Sequence, residues 1–187
     1  VDKFKIELSS FTGREPDEER YNFDPIKFDS YAYRLSFNPN KAWALQFSQA
    51  YIKSPEALHP GEDIWRYTAS ALYATPVTMN GKYFASSFVW GMNDAGADDK
   101  EHSFLLEGTQ QLPKQAIYGR YEFVQKSSEE LNLVRNFGDQ TFNIQKFTLG
   151  TNRRLFYAGP AEFLGGLQAS VNIPPNRLQS LYGDAPL

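Results

Sequence analysis

The sequence has no cysteine, and that absence excludes three kinds of protein at once. Without thiols there is no disulfide scaffold, no cysteine-ligated zinc and no thiol nucleophile. Histidine is nearly as scarce, because the chain contains two, His59 and His102. We expect both in loops, and neither has a second ligand at metal-binding spacing. The sequence therefore predicts no metal site and no cofactor.

A strong charge of one sign is also missing, since 22 acidic residues face 19 basic ones for a formal net charge of -3. A balance this close to neutral predicts no nucleic-acid partner and no strong attraction to an anionic membrane surface. No apolar run approaches the roughly 20 residues of a membrane helix. A strand of a membrane barrel needs only about 9 to 11 residues with every second one apolar, so a barrel stays possible.

Recognisable catalytic motifs are absent from the sequence. It has no glycine-rich phosphate loop, no G-x-S-x-G nucleophile elbow and no H-E-x-x-H zinc motif. No nucleophile stands beside a base at a useful spacing. We therefore predict that the protein is not an enzyme.

What the sequence has in quantity is aromatic residues, which make up 16% of the chain, and they recur two positions apart. This alternation of apolar and polar residues predicts nine strands, and helical spacing is nowhere sustained. In the eighth segment Phe142 and Ile144 fall out of phase with Phe147 and Leu149, which predicts a bulge or a late strand start. The other predicted strands cover 3–11, 31–37, 43–51, 65–74, 83–92, 103–112, 116–125 and 163–173.

The predicted connections alternate in length along the chain. Shorter links lie at 38–41, 75–82, 113–115 and 152–162. Longer polar loops lie at 12–27, 53–64, 93–102 and 126–141. This rhythm is typical of up-and-down strands whose two ends meet different environments, as in outer-membrane barrels. The sequence thus predicts an all-β fold, an antiparallel up-and-down transmembrane β-barrel.

Aromatic residues concentrate on the apolar side of these strands, near the segment ends. Amphipathic rings suit a lipid interface, because one edge of the ring lies in acyl chain and the other in water. The alternative is an apolar side packed on the core of a soluble sheet. The predicted interfacial residues are Tyr31, Tyr51, Trp65, Tyr73, Trp90 and Tyr121.

The opposite side carries charged and amide residues among many small ones, which suits a polar interior. In a wide barrel these charges would select small solutes by charge and size. In a narrow barrel they would form a salt-bridged plug without a pore, and on a soluble sheet they would be the wet side. The predicted lumen-facing residues are Arg34, Gln46, Arg66, Glu107, Arg120, Glu122 and Lys146.

Two charged loops are candidates for ion binding. Residues 14–20 could hold a divalent cation through carboxylates or contact lipopolysaccharide phosphates through arginines, or they form a solvated loop. Residues 93–99 have calcium-loop composition but lack the ligand order and the closing glutamate of such a site. We expect 93–99 to be an exposed loop.

The stretches "FTGREPDEERYNFDPIKFDSYAYRLSFNPNKAWALQFSQAYIKSPEAL", "TASALYATPV", "VWGMND" and "FLLEGTQQL" resemble a family of Gram-negative outer-membrane β-barrel proteins, porin-like and mostly uncharacterised. The most distinctive part is "GREPDE" followed by "FDPI" and "FDS", and the resemblance extends to "SVNIPP" and "LYGDAPL". It implies location in the bacterial outer membrane, in contact with its lipid and with lipopolysaccharide.

Members of that family are longer at the amino end and continue into a closing strand. The chain begins at Val1 and shows an odd number of strands. We therefore expect a mature form, a fragment or an engineered form, with residues 1–187 being one barrel domain or its carboxyl-terminal portion without the closing strand.

The function predicted from these observations is a porin-like passive channel for small solutes. A second hypothesis is a structural or partner-binding barrel with a filled interior, whose external loops contact another protein. A soluble β-sheet ligand-binding protein is the alternative at the level of the fold.

Overall fold

The computed structural model of the protein describes residues 3–16, 21, 25–56, 61–96 and 99–182. Nine strands form a single sheet in chain order, with β1 and β9 as its edges. The strands are β1 Phe4–Phe11, β2 Ser30–Asn40, β3 Trp43–Ile52, β4 Ile64–Ala74, β5 Tyr83–Gly96, β6 Asp99–Gln111, β7 Gln115–Ser127, β8 Thr141–Ala158 and β9 Ala161–Ile173. This confirms the predicted all-β, antiparallel up-and-down organisation, and the sheet is not closed within the described residues.

Two short α-helices and a turn of 3-10 helix complete the described structure. Helix α1 spans Val134–Phe137, the 3-10 helix spans Asn176–Leu178, and α2 spans Gln179–Tyr182. The chain divides into two compact units, which we call unit 1 and unit 2. Unit 1 contains 1–70 and 90–102, and unit 2 contains 71–89 and 103–187.

Strand register in unit 1 sorts the side chains onto two faces. Leu35 of β2 lies opposite Ile6 of β1 and Phe47 of β3, whereas its neighbour Arg34 lies opposite Glu7 and Ser48. Because side chains alternate across a sheet, one row is apolar and the next is polar. A slip of one residue would exchange the two faces, so the alternation specifies the register.

Unit 2 follows the same rule over a longer stretch of paired strands. Strand β7 pairs with β8 in one continuous register, from Gln115 opposite Arg153 to Ser127 opposite Thr141. The predicted bulge near Phe142 is therefore wrong, and the register shift lies instead in β8 between Arg154 and Phe156.

Phe142 belongs to β8 but points to the polar side of the sheet, opposite Lys126. It is buried there. Its ring meets that of Phe137 in α1 at 5.4 Å, nearly edge-on. The connection between β7 and β8 thus supplies a local apolar cover, which explains why this residue departs from the alternation.

Two predicted connections are strand in the structure. The predicted loop at 93–102 is wrong for its described residues, because β5 continues to Gly96 and β6 begins at Asp99. Residues 152–162 are not a link, because β8 continues to Ala158 and β9 begins at Ala161. Polar residues predominate in 93–102, so the apolar alternation ends there before the strand does. In the second hairpin the register shifts between Arg154 and Phe156, which interrupts the alternation. One expected loop histidine, His102, consequently lies in β6, while His59 lies outside the described residues.

The sheet has almost no hydrophobic core of its own. In the described part of the chain the buried hydrophobic side chains are Ile52, Ala116, Phe142 and Leu178. Large apolar side chains are instead exposed, including Leu8 and Leu167 at 81% each. One face of each unit therefore presents large apolar side chains that are exposed in the described structure.

Candidate functional site

The polar face of unit 2 is a ladder of cross-strand contacts centred on Arg120 of β7. Glu107 of β6 lies directly opposite, and its Oε2 accepts hydrogen bonds from Arg120 Nη2 at 2.7 Å and Nε at 3.0 Å. Ser87 of β5 donates to the other oxygen of Glu107 at 3.0 Å. Glu122, on the same face of β7, lies 3.8 Å from Arg120 Nη1. One guanidinium is thus held between two carboxylates.

The ladder continues across β8 and β9. Lys146 is in register with Glu122 on one side and Asn172 on the other. One row further along, the hydroxyls of Thr148 and Ser170 lie 2.9 Å apart. The four predicted lumen-facing residues of unit 2 therefore share one face.

A tyrosine that the sequence interpretation did not identify completes this face. Tyr118 of β7, Gly150 of β8 and Gln168 of β9 are direct cross-strand partners. The Tyr118 ring lies over Gly150, so that a Cβ at this glycine would be 2.3 Å from the ring, and its hydroxyl donates to Gln168 Oε1 at 3.0 Å. The sequence did contain one signal for this contact, because Gly150 lies inside a strand and in phase with its polar residues. A glycine at such a position often marks a place where another group approaches the backbone closely.

The polar face of unit 1 contains the other three predicted lumen-facing residues. Gln46 lies opposite Ser36, and Arg34 lies opposite Ser48. The Ser48 hydroxyl is 2.6 Å from that of Thr68 on β4. Arg66 is two residues before Thr68, so it shares this face, and its Nε donates to the amide oxygen of Asn93 at 2.8 Å.

The predicted interfacial aromatics form a cluster at one end of unit 1. The Tyr51 ring is 5.5 Å from Tyr31 and 5.2 Å from Trp65, and Tyr31 is 6.2 Å from Trp65. These rings come from the start of β2, the end of β3 and the start of β4. Their assignment to a lipid interface stays a prediction.

The other three predicted aromatics are more dispersed. Tyr73, near the end of β4, is 6.3 Å from Phe84. Trp90 Nε1 donates to Nδ1 of His102 at 3.2 Å, and the Tyr121 ring is 4.7 Å from Phe147. Trp90 lies near the middle of its strand because β5 extends beyond its predicted end to Gly96, and Tyr121 lies at the centre of β7.

Two loops of unit 1 are joined at the buried Ser30. The backbone N–H of Lys53 donates to Ser30 Oγ at 2.9 Å, and that hydroxyl donates to Asp29 at 3.2 Å. Gly13 is also buried here, and its N–H donates to Asp29 at 3.0 Å. This bond is the main reason that the pKa of Asp29 lies below its ordinary value.

A second carboxylate, Asp63, fixes the later of these loops. It accepts hydrogen bonds from the Tyr51 hydroxyl and from the backbone N–H of Ser54, the latter at 3.1 Å. The Tyr51 bond is the largest cause lowering the pKa of Asp63. Asp17 to Arg20, the remainder of the predicted charged loop, lie outside the described residues.

The apolar face of unit 2 has a groove whose floor is two glycines. Gly108 of β6 lies directly opposite Gly119 of β7. Because these two residues have no side chains, the surface is lower here than over the larger residues around them. Its walls include Phe84, Leu106, Ile117, Tyr121, Phe147 and Leu149.

Metal-ligating side chains are not clustered within the described ranges. These residues contain no group of three or more histidine or acidic side chains that could hold a metal ion. Asp94, in the stretch with calcium-loop composition, is 3.4 Å from the Lys100 ammonium and lies within β5. Among the described helices, none has the length and apolar character needed to cross a membrane.

Comparison of the chain with protein-family models, with curated proteins and with solved structures gave no match. The functional interpretation therefore depends on the geometry of the two faces.

Proposed function

We propose that the chain is part of a Gram-negative outer-membrane β-barrel that acts as a porin-like passive channel for small solutes. The observation that carries the proposal is the contrast between the faces of the sheet. One face is apolar and exposed, and the other carries the charged and polar side chains, among them the Lys5–Glu7 and Glu107–Arg120 pairs.

The apolar face is the costly one to leave in water. Burial of apolar surface is favourable by roughly 25 cal/mol per Å², and soluble monomers rarely expose a contiguous apolar patch beyond about 300–600 Å². Exposed residues such as Ile6 at 74% and Leu149 at 65% belong to this face. Acyl chains would cover it, and the ring cluster of Tyr31, Tyr51 and Trp65 fits the boundary between lipid and water.

The polar face supports the channel part of the proposal. Its serine, threonine, glutamine and charged side chains would be solvated in a water-filled lumen. Charges of both signs held across such a lumen create a transverse field that acts on passing solutes. On this proposal the aromatic cluster contacts outer-membrane lipid and lipopolysaccharide, and a protein partner would meet the external loops.

Planar-bilayer recording of the purified protein tests the channel directly. We expect discrete conductance steps, because an open lumen passes ions one channel at a time. A bilayer that stays silent in several salts would contradict the proposal. Replacing the exposed Leu35 by Arg should block insertion, since an arginine on a lipid-facing strand costs about 2–4 kcal/mol at the bilayer midplane. Ser36→Arg, on the opposite face one position along, is the matched control and should insert.

A filled, non-conducting barrel is favoured by one feature, the ladder around Arg120. A guanidinium between two carboxylates, beside a Tyr118 ring that spans Gly150, would occlude a narrow lumen. This alternative predicts a protein that inserts into membranes but does not conduct. Arg120→Ala should then open a conductance that the unaltered protein lacks.

A soluble protein that binds an apolar ligand is favoured by the groove over Gly108 and Gly119. It predicts extraction without detergent as a monodisperse species. It also predicts that filling the groove with Gly119→Leu abolishes uptake of a fluorescent fatty acid. Membrane insertion in the previous experiments would exclude this alternative.

A further inference from the structure

The Tyr118 side chain lies along the polar face of unit 2 instead of standing away from it. A Cβ at Gly150 on the next strand would be 2.3 Å from the ring, and the ring hydroxyl donates to Gln168 Oε1, one strand further on, at 3.0 Å. The side chain therefore crosses β8 with one side of its ring against the backbone. Tyr118 is half-buried, and no other ring of the described residues stacks on it. The other side of the ring is thus available to a ligand.

Uncharged polar groups surround this ring on three strands. Thr109 of β6 is directly opposite Tyr118, and Gln168 of β9 ends the same row. Asn152 of β8 shares the face, because it lies two residues beyond Gly150. Within the described residues the Thr109 hydroxyl, the Asn152 amide and the Gln168 amide nitrogen have no hydrogen-bond partner. These groups therefore have donors and acceptors free for a solute.

The nearest charges on this face neutralise each other. Arg120, two residues after Tyr118 on β7, is doubly hydrogen-bonded to Glu107. The rows that contain Tyr118 and Asn152 hold no ionisable group other than the tyrosine hydroxyl. An ion would gain little Coulomb energy from such a surface. The surroundings of Tyr118 consequently favour an uncharged polar ligand over an ion.

We propose that this surface binds a neutral sugar ring, which stacks on Tyr118 while its hydroxyls bond to Thr109, Asn152 and Gln168. The face of an aromatic ring is negative, so it attracts the slightly positive C–H groups on the flat side of a pyranose. Each sugar hydroxyl both donates and accepts, as the hydroxyl and amide groups around the ring require. The role of the site in selecting solutes for passage rests on the proposed channel function.

Binding is tested first, without any conductance measurement. Saturation-transfer difference NMR is recorded on methyl β-glucopyranoside with the purified protein in a detergent that contains no sugar. We expect transfer to the C–H protons of the sugar ring. Tyr118→Leu should weaken binding roughly five- to tenfold, the effect of losing one stacked ring. Tyr121→Leu removes a ring from the opposite face of the same strand and is the control, which should keep the affinity.

Two further variants separate stacking from a general loss of structure. Tyr118→Phe keeps the ring and loses only the hydroxyl bond to Gln168, so it should retain most of the affinity. Gly150→Ala should weaken binding, because the added methyl displaces the ring. Equal affinity in the unaltered protein and in Tyr118→Leu, or no transfer in the unaltered protein, would overturn the site. Transfer to p-nitrophenol but not to the glucoside would overturn the class of ligand.

The role in passage is tested in planar bilayers. Methyl β-glucopyranoside should reduce the current through the open channel, and Tyr118→Leu should relieve that reduction. A current that the sugar leaves unchanged would contradict the role of the site in passage. Absence of any conductance would contradict the proposed function and leave the NMR result to decide the site.

Discussion

The polar faces of the two units are built from the same residue types but differ in electrostatic character. In unit 2, cross-strand register brings Arg120 against Glu107 with Ser87 behind the carboxylate, so the charges satisfy each other. In unit 1, register places Arg34 against a glutamate already bridged to lysine, and Arg66 against an amide. A shared alternation therefore fixes which face a charge occupies, while strand pairing determines which side chains lie beside that charge.

The units also differ in what surrounds their most closely packed glycines. Gly13 of unit 1 lies against backbone atoms, because a Cβ there would be 2.6 Å from the carbonyl oxygen of Lys53 and 2.7 Å from its nitrogen. Gly150 of unit 2 meets the outer atoms of the Tyr118 ring. A backbone fixed by neighbouring strands and loops has less freedom to move than a ring.

The largest expected effect in this comparison is that of Gly13→Ala. The added methyl also falls 2.2 Å from Ser30 Oγ, so the loop junction of unit 1 must open. We expect a loss of about 2–3 kcal/mol in the free energy of unfolding, measured by denaturant titration in detergent. Gly108→Ala is the control, since its Cβ would lie 3.5 Å from Phe84 and should cost under about 0.5 kcal/mol. Equal losses in the two variants would contradict this account.

Gly150→Ala should lower the free energy of unfolding by a smaller amount, about 1–2 kcal/mol. The Tyr118 ring can rotate away from the added methyl group, although it then loses its hydrogen bond to Gln168. The test is a double-mutant cycle with Tyr118→Ala. Once the ring is gone the glycine substitution should cost nearly nothing. Additive effects of the two substitutions would show that the ring does not cover Gly150.

The Glu107–Arg120 pair should couple by about 0.5–1 kcal/mol, near the upper end for partly exposed pairs, because it is doubly bonded and supported by Ser87. A double-mutant cycle of Glu107→Gln and Arg120→Gln measures this coupling. The Lys5–Glu7 pair of unit 1 should couple less, since Lys5 is 67% exposed and the two residues share one strand. A larger coupling in unit 1 would reverse the proposed contrast.

The smallest expected effect is the pH dependence of the loop junction. Because hydrogen bonds lower the pKa of Asp29 and Asp63 in the folded state, their contribution to stability is present above the ordinary aspartate value of about 3.8. It is lost as the pH falls through the lower folded value. Asp63→Asn should therefore reduce the drop in unfolding midpoint between pH 6 and pH 3. Asp139→Asn, in the loop between β7 and β8, should leave that drop unchanged.

Alternation predicted the strands where one face is apolar and the other polar. It placed β2, β3 and β4 within a few residues, because each carries apolar residues at every second position. It failed at the end of β5, where polar residues interrupt the signal while the strand continues to Gly96. It also failed at the end of β8, where a register shift between Arg154 and Phe156 changes the phase before the strand ends at Ala158. It also misread Phe142, whose cover comes from Phe137 in a loop helix that periodicity cannot locate.

For the candidate site, the sequence predicted shared faces but not pairs. Arg34, Gln46 and Arg66 share a face because the side-chain period of a strand is two. That Glu107 contacts Arg120, while Arg66 contacts Asn93, depends on the pairing of strands, which is set by turn geometry as well as by pattern. The Tyr118–Gly150–Gln168 row spans three strands, so it could be recognised only once their register was known.

The uncovered apolar face makes the surrounding medium a thermodynamic component of the fold. Because the buried hydrophobic side chains of the described residues are few, the sheet gains little from folding in water alone. Whatever covers Ile6, Leu35 and Leu149 binds the folded chain in preference to the unfolded one, and so shifts the folding equilibrium as a ligand would. On the proposed outer-membrane location, the free energy of unfolding is a joint property of the chain and of the lipid or detergent that covers this face, and values from two detergents measure two different systems.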